Sequence, residues 1–253
     1  MLLDAYRFFR FSASGATAVL PLLGAGSVCS QLEARRTLEL LGVAAAFHAF
    51  AYVHNDVCDL AIDRTQPLRA DYPLVRGAIS PRAALTIALA CVPTAFAIGR
   101  RDAAPGRLSL VGAFGLMAAY NRWGKACPFP PLTDLLQGAG WALLIAYGAT
   151  ADGEVPTRLT QLLLAYELLL ILMVNGVHGA LRDLENDQSC GAQTTAIMFG
   201  ARQTAGGMQL PPALLAYALL LQLALLALPI YAASQNLPGH QGGARLATGL
   251  GVA

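Results

Sequence analysis

The sequence predicts an all-α, polytopic transmembrane helical bundle of about seven spans around a central cavity. Three observations predict it. Of 253 residues, 56% are hydrophobic and 13% charged, and the mean hydropathy is +0.52, well above an ordinary soluble domain. Apolar stretches of about 20 residues, the length needed to cross a hydrocarbon core of about 30 Å, recur along the chain. Two acidic stretches, HNDVCDLAIDR at 54–64 and HGALRDLENDQ at 178–188, each close such an apolar stretch.

Taken in order, the N-terminal MLLDAYRFFRF carries Asp4, Arg7 and Arg10 but no short apolar core with a small-residue cleavage site, so the first span is expected to be retained. Spans are expected at 9–30, 38–58, 82–99, 107–120, 132–150, 159–181 and 210–233, the fourth being short. Residues 194–209, with Gly206 and Gly207, read as an amphipathic segment leading obliquely into the last span. Residues 1–237 form one transmembrane domain on this reading, and 238–253 form a polar, Gly-rich tail with little order. Glu167 falls in mid-span, where an ionisable group either lines a cavity or hydrogen-bonds a neighbouring helix.

If the second span is helical, Asn55, Asp59 and Asp63 recur every four residues in one stripe, with neighbours about 6 Å apart along the axis. Carboxylates so close at a membrane boundary repel one another and lose hydration, which a bound cation would relieve. Laid over the first stretch at a constant offset, the second matches it at His54/His178, Asp59/Asp183, Leu60/Leu184 and Asp63/Asp187, the pattern an internal duplication would leave. Spans two and six run in the same direction, so both clusters reach one face of the membrane. The loop with Tyr120, Asn121, Arg122 and Lys125 reaches it too, as does the loop with Arg64, Arg69, Arg76 and Arg82. That face holds ten of the seventeen Lys and Arg residues, which points to the cytoplasm. Arg69, Arg76 and Arg82 read first as topology signals, with Arg76, beside Gly77, the best of them for phosphate.

A net charge of +2, with no basic tract interleaved with aromatics, gives no reason to expect nucleic acid as a partner. The five cysteines are scattered without a CxxC pair and are read as reduced, supporting neither a disulfide frame nor a zinc site. Two sets of aspartates among Arg and Lys suit a polyanionic substrate held through Mg²⁺, which takes one or two carboxylates plus substrate phosphates. Arg side chains would take the remaining phosphate oxygens. The chemistry that fits is loss of diphosphate from an allylic substrate inside a water-poor pocket. The rings of Phe47, Phe50, Tyr52, Trp141 and Tyr147 are candidates to stabilise positive charge there.

NDVCDLAIDR resembles the NDxxDxxxD signature of the UbiA superfamily of intramembrane prenyltransferases, and RDLENDQSCGAQTTAIMFG resembles its second motif. YNRWGK is similar to that family's loop after the fourth helix, and the resemblance covers roughly residues 5–230. It implies Mg²⁺ held on the two Asp motifs and an isoprenyl diphosphate donor such as farnesyl or geranylgeranyl diphosphate. A small aromatic acceptor and a place in the cytoplasmic membrane, with the site on the cytoplasmic side, complete the picture. The family's metal and catalytic ligands carry over onto Asn55, Asp59, Asp63, Asp183 and Asp187, with Asp56 as a supporting acid. Diphosphate contacts carry over onto Arg64, Lys125 and Arg182, with Arg76, Tyr120 and Asn121 as further candidates, while His54 and His178 would orient an Asp.

Three features depart from the family pattern. Gly179 stands where Asn or Asp is frequent, so Asn175 or His178 would have to substitute; TQPLRADYPLVRG follows Arg64; and seven spans replace the usual nine. Two alternatives stay open: a terpene cyclase of the same superfamily, which needs no acceptor, and a cation or organic-anion transporter.

Overall fold

Among the described residues, 2–235 and 237 of the computed structural model, every expected apolar stretch folds as a helix. The polar tail expected at 238–253 lies outside the described residues. The helices are α1 (Leu2–Phe8), α2 (Ser14–Gly26), α3 (Ala34–Cys58), α4 (Leu60–Asp63), α5 (Pro81–Ile98), α6 (Ala104–Trp123) and α7 (Pro130–Thr150). They continue with α8 (Arg158–Met173), which runs through a π-turn at Val174–Gly179 into α9 (Ala180–Arg182), and then α10 (Leu184–Ser189), α11 (Thr195–Met198) and α12 (Pro212–Ser234).

Four helices are long and apolar enough to cross a membrane, Ala34–Cys58, Pro81–Ile98, Arg158–Arg182 and Pro212–Ser234, or five if the bent pair Leu2–Phe8 and Phe11–Gly26 counts as one. Of the seven expected spans, α6 and α7 are helices of 20 and 21 residues that do not reach that apolarity. For α7 the reason is enclosure: it packs against α2, α6 and α8, so Asp134, Gln137 and its glycines meet protein or cavity instead of lipid. α12 is the opposite case. It has no charged residue, packs mainly on α8 among the described residues, and leaves Leu219, Leu220 and Leu223 exposed for the hydrocarbon.

Two backbones meet at the centre. A Cβ on Gly24 of α2 would lie 1.9 Å from the carbonyl oxygen of Ile145 in α7, and one on Gly148 would lie 1.9 Å from that of Pro21. Only glycine permits this approach, which uses the close small-residue packing favoured between membrane helices. The end of the bundle distant from the acidic stretches is closed by a polar clasp. Arg36 of α3 donates to Asp102 Oδ1 at 2.9 Å and to Asp152 Oδ2 at 3.0 Å, and the Tyr147 hydroxyl donates to Asp102 Oδ2 at 2.8 Å.

The segment at 194–209 differs from its amphipathic expectation. After α11 it forms a two-stranded hairpin, β1 (Arg202–Thr204) and β2 (Gly207–Gln209), paired antiparallel with Arg202 opposite Gln209. Ala205 and Gly206 make the turn, and Gly207, which opens β2 opposite Thr204, has φ of +110°. All five cysteines are free thiols.

Candidate active site

Both acidic stretches break their helices at the same place. α3 ends at Cys58, Asp59 leaves helical geometry at φ −90°, ψ 4°, and α4 resumes the helix. In the second stretch Asp183 does the same at φ −97°, ψ 7°, between α9 and α10. The four-residue ladder survives each break: the Asp59 N–H donates to Asn55 O at 2.8 Å and Asp63 N–H to Asp59 O at 2.8 Å. In the second stretch Asp183 N–H donates to Gly179 O at 3.0 Å and Asp187 N–H to Asp183 O at 2.9 Å. Successive carboxylates therefore stay on one side of each helix end.

The two ends are bonded to each other. Gln66 Nε2 donates to Asp183 Oδ1 at 2.9 Å, Thr65 Oγ1 donates to Asn186 Oδ1 at 3.0 Å, and Asn186 Nδ2 donates to the carbonyl of Ile62 at 3.5 Å. Between them opens a cavity of about 930 Å³. Asn55, Asp59, Asp63, Asp183 and Asp187 all line it, as do Tyr120, Asn121, Lys125, Arg182 and His178.

Four of the residues singled out in the sequence are placed elsewhere. Arg64 is exposed and off the cavity, and Arg76 is exposed and paired with Asp4. Asp56 is buried behind the wall, where Arg10 binds it and Arg69 Nη1 lies 3.9 Å away. His54 stacks on Phe50 and accepts from Asn121 Nδ2 at 3.1 Å, so it braces α3 against α6 and orients no aspartate. Of the aromatic candidates, Tyr52 and Trp141 line the cavity while Phe47, Phe50 and Tyr147 belong to the core.

Cations are few against these acids. Lys125 Nζ donates to Asp187 Oδ1 at 2.5 Å, and Arg69 Nε stands 4.0 Å from Asp63 Oδ1. Burial pushes Asp59 up to about 6, with Lys125 and the Asn55 amide opposing. Burial likewise raises Asp63, against Arg69, and Asp187, against Lys125. Asp183 behaves differently. Burial would raise it too, but hydrogen bonds from Arg182 (2.7 and 3.0 Å) and Gln66 bring it below the usual carboxylate range.

Residues 16–240 match the UbiA prenyltransferase family. The chain belongs to that family. The solved structure of a UbiA homolog from Archaeoglobus fulgidus bound to GPP and Mg²⁺ superposes with a TM-score of 0.73 at 19% identity, over 98% of this chain and 83% of that one. An apo UbiA homolog from Aeropyrum pernix gives 0.72 at 20% identity, over 98% and 85%. In sequence, the chain is 30% identical to the digeranylgeranylglyceryl phosphate synthase of Pyrococcus abyssi over 154 residues, 60% of this chain and 52% of that protein. It is 30% identical to the 4-hydroxybenzoate octaprenyltransferase of Pseudomonas putida over 146 residues, 58% and 48%. The matched region thus spans about half the length of these curated relatives.

The donor set of this UbiA-family chain suits Mg²⁺. Among the described residues no three His, Cys, Asp or Glu side chains form a ready-made metal cage, and Mg²⁺ commonly takes only one or two carboxylates with the rest of its shell from phosphate and water. Asp187 Oδ2 is buried without a hydrogen-bond partner, and so are Arg69 Nη1 and Asn121 Oδ1 on the same cavity wall. Buried polar atoms left without partners are costly, and three of them cluster in residues that line this one cavity.

A second polar layer lies beneath the acids. Asp134 of α7 accepts from Asn175 Nδ2 at 2.7 Å and from Thr195 Oγ1 at 2.5 Å, and the Tyr120 hydroxyl donates to Asn175 Oδ1 at 3.1 Å. It ties the π-turn and the start of α11 to α7. Sequence reading missed Asp134, Arg10, Gln66 and Asn186 and read Arg69 as a topology signal. Asp134 was open to discovery, being a lone acid in an apolar stretch. Gln66 and Asn186 sit in polar segments where nothing local separates a site residue from a solvated one, and Arg10, among Phe8, Phe9 and Phe11, reads as a charge at the start of a span.

Proposed function

We propose that this chain is an Mg²⁺-dependent intramembrane prenyltransferase that ionises an allylic isoprenyl diphosphate and passes the prenyl group to an acceptor. One observation carries the reading: two acid-bearing helix ends, hydrogen-bonded to each other, sit over a single cavity whose wall continues as Met117, Trp141, Ile145, Leu163 and Leu170. The relatives' names support it, since both name prenyl transfer or a prenylated product.

Asn55, Asp59, Asp63, Asp183 and Asp187 would hold Mg²⁺ together with the substrate's diphosphate. When bound, the metal neutralises charge on the departing diphosphate. Lys125 and Arg182 line the cavity beside Asp187 and Asp183 and donate to phosphate oxygens from that side, while Arg69 does so beside Asp63. Tyr120, held by Asn175, and Tyr52 present ring surface to the prenyl carbon, and the apolar wall excludes water that would quench a cation. The acceptor is a small aromatic or an alcohol of the kinds the relatives' names imply. The acid-bearing face is cytoplasmic by its excess of Lys and Arg, in the cytoplasmic membrane.

Membranes containing the chain, given Mg²⁺ and geranyl, farnesyl or geranylgeranyl diphosphate with and without 4-hydroxybenzoate, test this. Acceptor-dependent diphosphate release is expected. A hydrocarbon or terpene alcohol formed without acceptor would turn the assignment to cyclisation, and no diphosphate release under any condition would overturn it.

A further inference from the structure

Beyond the Asp134–Asn175 layer, the part of the cavity wall built by α7 and α8 carries Trp141, Ile145, Leu163 and Leu170 with three polar residues among them, Gln137 of α7 and Tyr166 and Glu167 of α8. Glu167 is 8% exposed, and its carboxyl has no hydrogen-bond or ion-pair partner among the described residues. Gln137 Oε1 is buried and also lacks a hydrogen-bond partner. They lie close in depth: α7 and α8 run antiparallel and touch where a Cβ on Gly138 would lie 3.1 Å from the carbonyl oxygen of Leu168, which sets Gln137 and Glu167 about 3 Å apart along the helix axes. From Asn175, which marks the polar layer under the acids, Glu167 is eight residues away, on the order of 12 Å along the helix.

An unpartnered carboxyl in a membrane span is costly unless water or a ligand reaches it. A prenyl donor anchored by its diphosphate at the acids must lay its tail along this wall. A tail ending short of Glu167 leaves water on its carboxyl; a longer one displaces that water, runs over the Gln137 side chain and offers nothing in exchange.

Resting on the function proposed above, we propose that Glu167 and Gln137 form a polar stop in the cavity that restricts the donor to prenyl chains short enough to end before it. The pair discriminates by tail length and takes no part in the bond-breaking step.

Binding separates this from the chemistry. The full chain in detergent with Mg²⁺ is titrated with unreactive thiolodiphosphate analogues carrying geranyl, farnesyl, geranylgeranyl and octaprenyl tails. In the wild type, affinity is expected to drop by at least about tenfold at the first tail that passes the stop, the scale of one polar group left unpaired. In the Glu167→Leu, Gln137→Leu double variant the drop disappears, and in Glu167→Gln it remains. A wild-type profile flat with length, or one that is unchanged in the double variant, would overturn the stop while leaving the donor class intact. No binding of any analogue to the wild type would overturn the function proposed above and the stop with it. If the double variant binds no analogue, Gln137→Leu alone carries the test, with the same relaxation expected at smaller size and an unchanged profile again fatal to the stop.

Discussion

Asp59 and Asp183 occupy the same position in two copies of one backbone device, yet they hold protons in opposite ways. Each caps a membrane helix at nearly the same φ and ψ, and each is followed four residues later by a buried aspartate. Burial pushes Asp59 up to about 6, while Asp183 is brought below the usual range by Arg182 and Gln66. A shared backbone sets where a carboxylate points, and its neighbours set whether it carries charge without a metal. The first stretch is therefore the half of the site that gains most from a bound cation, and the second is already partly neutralised by its own cations.

The largest test of this contrast removes the deepest acid of the second stretch. Asp187→Ala takes away the oxygen that Lys125 holds and the orphaned Oδ2 beside it, and should lower the rate of diphosphate release by on the order of 100- to 1000-fold with the protein still in the membrane. A loss below tenfold would place Asp187 outside the metal-binding set.

Protonation gives the next effect. Because Asp59 titrates at about 6, Mg²⁺ or Mn²⁺ affinity measured calorimetrically should fall roughly tenfold per pH unit below 6. Asp59→Asn should flatten that slope and Asp183→Asn should leave it. Stability in the absence of metal has the matching signs. The folded state binds more protons at Asp59 between its ordinary value of 3.8 and about 6, so stability falls as pH rises through that window. Asp183, depressed on folding, contributes stability above its ordinary value and loses it as pH falls through the depressed one. A thermal-unfolding series in which Asp59→Asn does not raise stability at neutral pH would break the contrast.

Smaller effects probe the link between the halves. Gln66→Leu removes the bond to Asp183 and should cost about 1 kcal/mol, seen as a several-fold rise in KM for the diphosphate substrate, with Asp183 shifting upward. An unchanged KM would mean the two helix ends hold their positions without that bond. Smallest of all, Gly179→Asn restores to the second stretch the residue type that Asn55 provides in the first. Its Cβ would meet Val174 O at 3.2 Å, so the neighbouring carbonyl must yield slightly, and metal affinity should change by no more than about threefold. A tenfold gain would show that the second half lacks a ligand which the π-turn and Asn175 do not replace.

Much of the fold was legible. Long apolar stretches predict helices because a backbone in lipid must satisfy its own hydrogen bonds, and every stretch so read is a helix. The limits of that reading are physical too. α7 is enclosed by other helices, so its composition is not that of a lipid-facing span, and the hairpin at 202–209 turns at Ala205–Gly206 with Gly207 at positive φ beside it, which outweighs a weak helical pattern.

What the sequence determined by itself is the pair of acid-bearing helix ends: the four-residue spacing puts Asn55, Asp59 and Asp63 in one stripe, and the repeat puts Asp183 and Asp187 in another on the same face. Those are consequences of helix periodicity and of span parity, both local or countable quantities. What only the tertiary structure decided is which cations serve the cavity. Arg69 and Arg10 turn toward it and Arg64 and Arg76 do not, Lys125 bonds Asp187 across the sequence, and Gln137 and Glu167 line it from two neighbouring helices. Long charged side chains in loops carry no periodic signal, so their partners are chosen by where the packed helices bring opposite charges within reach.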